Sequence, residues 1–203
     1  IPLRLVGSEM CIRDSFIAEL IPQTFSPWVQ DPEAVENVLE LCTGSGCLAI
    51  MMADAFPNAV IDAVDISKDA LAVAEHNIRE YKLEGRVNPI ESDLYEHVPF
   101  KKYDLIVTNP PYVNSVSMGK LPPEYLREPQ IALAGGEDGM DLVRKIVEGA
   151  AERLTPEGIL VVEIGNEADY AEAAFGHLGL TWLSTSAGDD AVFLLTAEQL
   201  QAR

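Results

Sequence analysis

Residues 38–53 read VLELCTGSGCLAIMMA, a strand-like run that passes through a glycine-rich turn into a helical pattern. The first five residues are apolar except for Glu40, which is typical of a strand covered on both faces of a sheet. Gly44 and Gly46 let the backbone turn sharply and approach a ligand, and the following helix offers free N–H groups at its start. Strand, glycine turn and helix together predict the beginning of a nucleotide-binding βαβ unit.

The alternation of strand and helix continues along the chain, which predicts an α/β fold with a mostly parallel sheet. Ser67 is expected to cap the helix after the second strand, Gly85 to end it, and Pro156–Gly158 to form a turn before the fifth strand. The predicted strands after the first are 59–65, 87–90, 103–108, 159–164, 180–184 and 191–195, and the predicted helices are 15–21, 48–53, 67–78, 140–154 and 168–175.

An acidic residue, Asp65, ends the second predicted strand. With Gly44-x-Gly46-x-x-Ala49 it fits the dinucleotide fingerprint, in which a carboxylate accepts hydrogen bonds from a ribose diol. Hydride transfer from NAD and methyl transfer from S-adenosylmethionine both use this arrangement. A βα turn without any ligand is also compatible with these residues.

The sequence Asn109-Pro110-Pro111-Tyr112 follows the fourth strand. Prolines cannot donate to a strand ladder and disfavour helix in the preceding residue, so a stiff extended loop is expected unless the segment is only a turn. The Asn109 side-chain oxygen and the Pro110 carbonyl can both accept hydrogen bonds from a planar, nitrogen-bearing group. Such a clamp, together with an Asp93 placed to reach an adenine amino group, favours methyl transfer over hydride transfer.

The composition is strongly acidic, with 14 Lys+Arg against 33 Asp+Glu and a net charge of −19. Such a surface repels phosphate backbones, so nucleic acid is a poor partner and a basic protein a better one, although acidity also serves solubility alone. Cys11, Cys42 and Cys47 form neither a disulfide framework nor a zinc motif, which indicates reduced thiols in a cytoplasmic protein without a bound metal. No apolar run is long enough to cross a membrane.

Four segments carry a resemblance to a known family: Leu41–Cys47, Ala63–Ser67, Ser92–Leu94 and Asn109–Tyr112. Together they resemble the protein-(glutamine-N5) methyltransferases. The resemblance implies a class I S-adenosylmethionine-dependent methyltransferase: Rossmann-like, doubly wound and seven-stranded, with an antiparallel final strand. It also implies N5-methylation of a glutamine. Residues 121–129 and 190–200 resemble the branch that modifies a large-subunit ribosomal protein. The alternative substrates are the Gly-Gly-Gln glutamine of a release factor and an amino group on a nucleic acid. A module that binds S-adenosylmethionine without catalysing transfer is a further alternative.

The resemblance also assigns roles to residues of this sequence. The catalytic residues it implies are Asn109, Pro110 and Tyr112. The cofactor-binding residues are Cys42, Thr43, Gly44, Ser45, Gly46, Asp65, Ile66, Asp93, Leu94 and Asn109. The substrate-binding residues are Asn109, Pro110, Pro111 and Tyr112.

Three further polar residues are weaker candidates for the site. Glu19 could contact it from the first helix, but a solvent-exposed carboxylate explains it equally well. Glu163 and Asn166 border the fifth strand, where a role in ending the strand is the simpler interpretation.

The domain organisation follows from the same resemblance. Residues 1–14 do not match the pattern and are expected to be a non-native segment, whereas 15–203 are expected to form the catalytic domain. The helical N-terminal substrate domain of the family is expected to be missing from this sequence. The Pro-rich stretch 113–134 has the length of a lid or binding loop.

Overall fold

The computed structural model describes residues 15–111 and 138–202, and these form one seven-stranded sheet with helices on both faces. The strands are β1 Asn37–Leu41, β2 Val60–Asp65, β3 Val87–Glu91, β4 Tyr103–Thr108, β5 Leu154–Glu163, β6 Thr181–Thr185 and β7 Gly188–Thr196. The helices are α1 Ile17–Leu20, α2 Cys47–Ala55, α3 Lys68–Glu80, α4 Asp141–Arg153, α5 Ala168–Phe175 and α6 Ala197–Gln201. Short 3-10 turns lie at Ile21–Gln23, Pro32–Ala34 and Gly176–Leu178.

The order of the strands is β3-β2-β1-β4-β5-β7-β6. Strands β1 to β5 are parallel, and β7 is antiparallel to both of its neighbours, which confirms the antiparallel final strand. The order reverses between β1 and β4, so the loops that follow these two strands flank a crevice at the carboxyl ends of the strands. We call this side of the sheet the carboxyl edge.

The two faces of the sheet bury separate hydrophobic clusters. One cluster contains residues of α1 and α2 with Ile78 of α3, and the other contains residues of α4, α5 and α6. Side chains of a strand alternate between the faces, so Val38 joins the first cluster and Leu39 the second. Each such aliphatic side chain, fully buried, contributes about 1.5–3 kcal/mol to folding. Because helices cover both faces of the sheet, the strands are apolar on both sides, which confirms the predicted α/β class.

The helix predicted at 67–78, α3, begins as expected, but the residue that ends it is not the expected one. The Ser67 hydroxyl accepts a hydrogen bond from the Ala70 N–H at 3.3 Å, which confirms the predicted cap. The helix ends at Glu80, because Lys82 takes the left-handed conformation at φ 56°. The Leu83 N–H bonds to the Ile78 carbonyl and the Lys82 N–H to the Arg79 carbonyl, the pattern of a Schellman motif. The prediction that Gly85 closes this helix was therefore wrong; Gly85 lies in the turn before β3.

The fifth strand also differs from the prediction. It begins at Leu154, before the expected turn at Pro156–Gly158, and its register against β4 jumps from the pair Tyr103–Leu154 to the pair Leu105–Ile159. The extra residues are accommodated as an irregularity within the strand, as in a β-bulge.

Several predictions fall outside the described residues, among them the non-native character of residues 1–14 and the lid at 113–134. The boundaries assigned to the catalytic domain also stay a prediction. Within the described ranges, no helix is both long and apolar enough to cross a bilayer.

Candidate active site

The glycine turn after β1 is shaped by left-handed backbone conformations. Cys42, Gly44 and Gly46 have φ of 59°, 58° and 77°. A Cβ atom added at Gly46 would lie 3.1 Å from the Cβ of Ala74 on α3, whereas one added at Gly44 would meet no atom within 4 Å. Gly46 therefore permits close packing of helix against turn, and Gly44 leaves open space beside the turn for a ligand.

Helix α3 holds this turn through a buried asparagine. Asn77 is 1% exposed, and its side-chain amide donates to the Ser45 carbonyl at 2.9 Å. Sequence reasoning placed Asn77 on the helix without assigning it a role at the site. A polar residue on the apolar face of a helix was the available signal, because buried amides need hydrogen-bond partners.

Asp65 joins the glycine turn to the end of β2. Its carboxylate accepts from the Gly44 N–H at 2.8 Å and from the Ser67 N–H at 2.8 Å. The next residue, Ile66, is 52% exposed and offers an apolar surface at the carboxyl edge. A carboxylate has room for more than two hydrogen bonds, so Asp65 can hold the turn and still accept from a ribose hydroxyl.

The segment after β3 places Asp93 at the same edge. The Ser92 N–H donates to the Asp65 carbonyl at 3.0 Å, and the buried Ser92 hydroxyl accepts from the His97 N–H at 2.9 Å. Asp93 is exposed, whereas the Leu94 side chain is 9% exposed and packs in the core. Asp93 therefore offers its carboxylate at the site, whereas Leu94 can offer only its backbone.

Acidic side chains converge on Cys42. Its pKa is raised to about 12, first by burial and then by the carboxylates of Asp65, Glu40 and Asp93. Glu40 is 2% exposed, and its carboxylate accepts from the Thr43 hydroxyl at 2.5 Å. Sequence reasoning assigned Glu40 only to the strand; the signal it missed was an acid inside an otherwise apolar strand. Such a negative environment favours a positively charged ligand and opposes a pyrophosphate.

On the other side of the crevice, the clamp follows β4. The Asn109 side-chain amide donates to Oε1 of Glu163 at 3.1 Å. Pro110 is buried and Pro111 is half-buried, in keeping with a fixed loop. Tyr112 lies outside the described residues, and its roles in catalysis and substrate binding stay a prediction.

Glu163 ends β5 as a fully buried carboxylate with 0% exposure. Its Oε2 accepts from the Ser15 hydroxyl at 2.8 Å and from the Ile17 N–H at 3.1 Å. Burial raises the pKa of Glu163 to about 7, and the hydrogen bonds from Ile17, Ser15, Phe16 and Asn109 oppose that rise. Ending the strand, the interpretation first preferred for Glu163, is thus only part of its role, because the side chain touches the clamp.

Among the described residues, neither of the other two weak candidates is hydrogen-bonded to Asn109 or Glu163. The Glu19 carboxylate accepts from the N–H and hydroxyl of Ser186, in the turn between β6 and β7, and its suggested contact with the site stays a prediction. Asn166 is exposed in the segment after β5.

The predicted site residues that are described thus gather at the carboxyl edge. The glycine turn, Cys42–Gly46, follows β1. Asp65 is the last residue of β2 and is followed by Ile66. Asp93 and Leu94 follow β3, and Asn109–Pro111 follow β4. Across the described ranges, no group of three or more His, Cys, Asp or Glu side chains is arranged to hold a metal ion.

A cavity of about 600 Å³ lies elsewhere, between the ends of α2 and α3. The Arg86 guanidinium in its lining donates to the carbonyls of Ala53, Phe56 and Ala59 at 2.8–3.3 Å. These bonds join the end of α2 to the start of β3, a structural role distant from the carboxyl edge.

Comparison with known proteins agrees with this geometry. Residues 23–121 match the family described as methyltransferase small domain. The chain is 55% identical over 97% of its length to the ribosomal protein uL3 glutamine methyltransferase of Burkholderia pseudomallei, and covers 66% of that protein. It is 53% identical over 96% of its length to the protein of the same name from Bordetella pertussis, and covers 65% of it. The chain thus spans slightly less than two thirds of these relatives.

Among solved structures, the ribosomal protein L11 methylase from Lactobacillus delbrueckii subsp. bulgaricus superposes with a TM-score of 0.57. It is 19% identical, and the alignment covers 88% of this chain and 75% of the other. At this identity the likeness concerns the fold, which is that of the class I S-adenosylmethionine-dependent methyltransferases.

Proposed function

Because this chain belongs to the methyltransferase family of those relatives, we propose that it transfers a methyl group from S-adenosylmethionine to the side-chain nitrogen of a glutamine. The proposed substrate is a large-subunit ribosomal protein, which the shared name of the relatives supports. A ribosomal substrate places the reaction in the cytoplasm. The observation that carries the proposal is Asn109, fixed by Glu163 at the carboxyl edge across the crevice from the glycine turn.

The residues around the glycine turn fit the cofactor. Open space beside Gly44 admits a ligand, Asp65 can accept from its ribose, and exposed Ile66 and Asp93 can contact its adenine. When bound, S-adenosylmethionine supplies a methyl group on a positively charged sulfur. The carboxylates of Glu40, Asp65 and Asp93 favour that positive charge electrostatically, whereas the pyrophosphate of NAD would be repelled.

Asn109 and Pro110 would orient the glutamine of the substrate. An amide nitrogen is a weak nucleophile because its lone pair is delocalised into the carbonyl group. The Asn109 Oδ1 and Pro110 carbonyl oxygens can each accept one N–H of the target NH₂ group, which directs the nitrogen lone pair towards the methyl group. They also stabilise the positive charge that develops on the nitrogen. No general base is required before transfer, since the proton can leave afterwards.

The charge of the chain supports the choice of a protein substrate. A net charge of −19 attracts a basic ribosomal protein and opposes binding to nucleic acid, although the same clamp could hold an exocyclic base nitrogen.

Mass spectrometry of candidate substrates tests the proposal. The protein and S-adenosylmethionine would be incubated separately with ribosomal protein uL3 and with a Gly-Gly-Gln release factor. We expect a mass increase of one CH₂ unit on a glutamine of the ribosomal protein alone. An increase on the release factor alone would reassign the substrate. No increase on either protein, although the cofactor binds, would contradict methyl transfer to these two proteins.

A further inference from the structure

Glu163 is a buried carboxylate whose two oxygens have separate partners. Oε2 accepts from the Ser15 hydroxyl and the Ile17 N–H, and Oε1 accepts from the Asn109 amide. These partners lie 148, 146 and 54 residues away in sequence. The carboxylate therefore joins the start of α1 to the clamp across the end of β5.

The chemistry of these groups determines how Asn109 is oriented. An ionised carboxylate can only accept hydrogen bonds, so only the NH₂ edge of the Asn109 amide can face it. The Oδ1 edge must then point away from Glu163. Within residues 15–111 and 138–202, no group donates a hydrogen bond to Asn109 Oδ1, so this atom can accept one from an N–H of the substrate.

We propose that Glu163 is a positioning residue that keeps the accepting oxygen of Asn109 turned towards the substrate amide. This inference rests on the proposed function, because it assigns a role in the same transfer. Glu163 acts through Asn109 and touches neither the substrate nor the cofactor.

The segment at the start of α1 fixes the carboxylate in turn. Ser15 and Ile17 hold Oε2 with one hydroxyl and one backbone donor, which leaves Oε1 to Asn109 and opposes rotation of the carboxyl group. Ser15 is 6% exposed, so this bond is shielded from competing water. Loss of the Ser15 hydroxyl should therefore weaken the hold on Asn109 without removing the acceptor.

Protonation of Glu163 would reverse the arrangement. A protonated carboxyl group donates one hydrogen bond, and it can satisfy Asn109 by donating to Oδ1 after the amide has turned over. The NH₂ edge would then meet the substrate NH₂, and two donors cannot pair. Since burial raises the pKa of Glu163 to about 7, transfer should decline as the pH falls through neutrality.

The charged groups on the elements around Glu163 are few. Helix α1 contributes Glu19, which bonds to Ser186; β7 contributes Asp189 and Asp190 at its exposed start; and the segment after β5 contributes Glu167, which is 7% exposed. Burial raises the pKa of Glu163, and the hydrogen bonds from Ile17, Ser15, Phe16 and Asn109 lower it. The protonation of Glu163 is thus governed mainly by burial and by its bonds to Ser15, Ile17 and Asn109.

The experiment compares wild type, Glu163→Gln and Ser15→Ala as the full chain, with saturating S-adenosylmethionine. For Glu163→Gln we expect kcat to fall about 100-fold, as for a misplaced orienting group. The KM for the cofactor should not change. The fall in kcat as the pH drops through neutrality, which we call the acid limb of the pH profile, should disappear. Wild-type kcat in this variant, or an unchanged limb, would overturn the proposal.

Ser15→Ala keeps the carboxylate and so remains informative if Glu163→Gln does not fold. Because the Ser15 bond lowers the pKa of Glu163, its loss should move the midpoint of the acid limb to higher pH. Histidine is the other side chain that ordinarily titrates near neutrality, so a His97→Asn variant serves as the control and should keep the limb. A limb that disappears with His97, or does not move in Ser15→Ala, contradicts the role of Glu163.

A second readout does not depend on turnover. The side-chain ¹⁵NH₂ signals of Asn109 should shift with pH around neutrality in the wild type and not in Glu163→Gln. If these signals titrate as expected while no methyl transfer occurs, the proposed function fails and the coupling of Glu163 to Asn109 stands. If transfer occurs but the signals are indifferent to pH and to the substitution, the positioning role fails and the function stands.

Discussion

The glycine turn and the asparagine clamp face each other across one crevice, yet they are held in different ways. The turn is fixed by partners within the continuous segment from β1 to α3: Gly44 bonds to Asp65, 21 residues on, and Ser45 to Asn77, 32 residues on. The clamp depends on Glu163, whose other donors, Ser15 and Ile17, lie almost 150 residues away. Under the proposed function, cofactor binding would thus be a local property of the sequence, whereas orientation of the substrate amide would be a property of the complete fold.

This contrast predicts that binding and transfer can be separated by mutation. The largest effect is expected for Asn109→Ala, which removes an acceptor that acts on charge developing in the transition state. We expect kcat to fall about 10²–10³-fold, with a much smaller effect on the Kd for S-adenosylmethionine. Single-turnover methylation and calorimetry on the same sample measure both quantities.

Asn166→Ala is the matched control for that experiment, because Asn166 follows the adjacent strand β5 and is exposed. It should leave both quantities unchanged. If Asn109→Ala retained transfer, or if the control lost it equally, the clamp would not act as described.

Asp65→Asn should have the opposite effect, weakening cofactor binding without slowing transfer. The change removes a negative charge and one of two bonds to backbone N–H groups, a loss of about 1.5–3 kcal/mol or roughly 10–100-fold in cofactor Kd. Transfer at saturating cofactor should be preserved. Titration calorimetry measures the cofactor affinity. The control is Asp69→Asn, on the exposed first turn of α3. Equal losses of affinity in the two variants would argue against a specific role for Asp65.

The two glycines of the turn should separate stability from affinity. Gly46→Ala adds a Cβ 3.1 Å from that of Ala74 at φ 77°, and should lower the free energy of unfolding by about 1–3 kcal/mol. Gly44→Ala meets only backbone strain of about 1–2 kcal/mol, but its methyl group enters the open space beside the turn. Thermal unfolding and calorimetry should show the larger stability loss at Gly46 and the larger affinity loss at Gly44; the reverse order would mean that ligand space lies elsewhere.

The smallest effect concerns the cost of a buried carboxylate in the clamp region. The pKa of Glu163 is raised to about 7 from an ordinary 4.5, so the folded protein binds a proton at Glu163 more tightly than the unfolded protein does. Proton binding at Glu163 therefore stabilises the folded protein at low pH, and this stabilisation is lost as the pH rises through neutrality. Between about pH 5.5 and pH 8.5, wild type should lose about 2 kcal/mol more stability than Glu163→Gln.

Denaturant unfolding at the two pH values measures this difference. Glu157→Gln, at an exposed position early in β5, should follow the wild-type slope. Parallel slopes for wild type and Glu163→Gln would show that the carboxyl group is not perturbed by burial.

The same contrast explains what the sequence could predict. Apolar runs located every strand of the sheet, and the cap at Ser67 follows from local chemistry. Gly85 was misjudged as the end of α3 because glycine favours the left-handed conformation that Lys82 in fact adopts. The glycine turn and Asp65 could be recognised as a motif. Glu163 could not, because its role depends on Asn109 and Ser15 meeting it after folding, and a single buried acid at a strand end has several explanations.

Titration calorimetry with S-adenosylmethionine and with NAD⁺ tests most directly whether the carboxylates around the glycine turn select a positively charged nucleoside for methyl transfer. Glu40, Asp65 and Asp93 should make S-adenosylmethionine bind at least roughly 100-fold more tightly than NAD⁺, since the pyrophosphate is repelled. Equal or tighter binding of NAD⁺ would contradict this assignment and would point to a dinucleotide site instead.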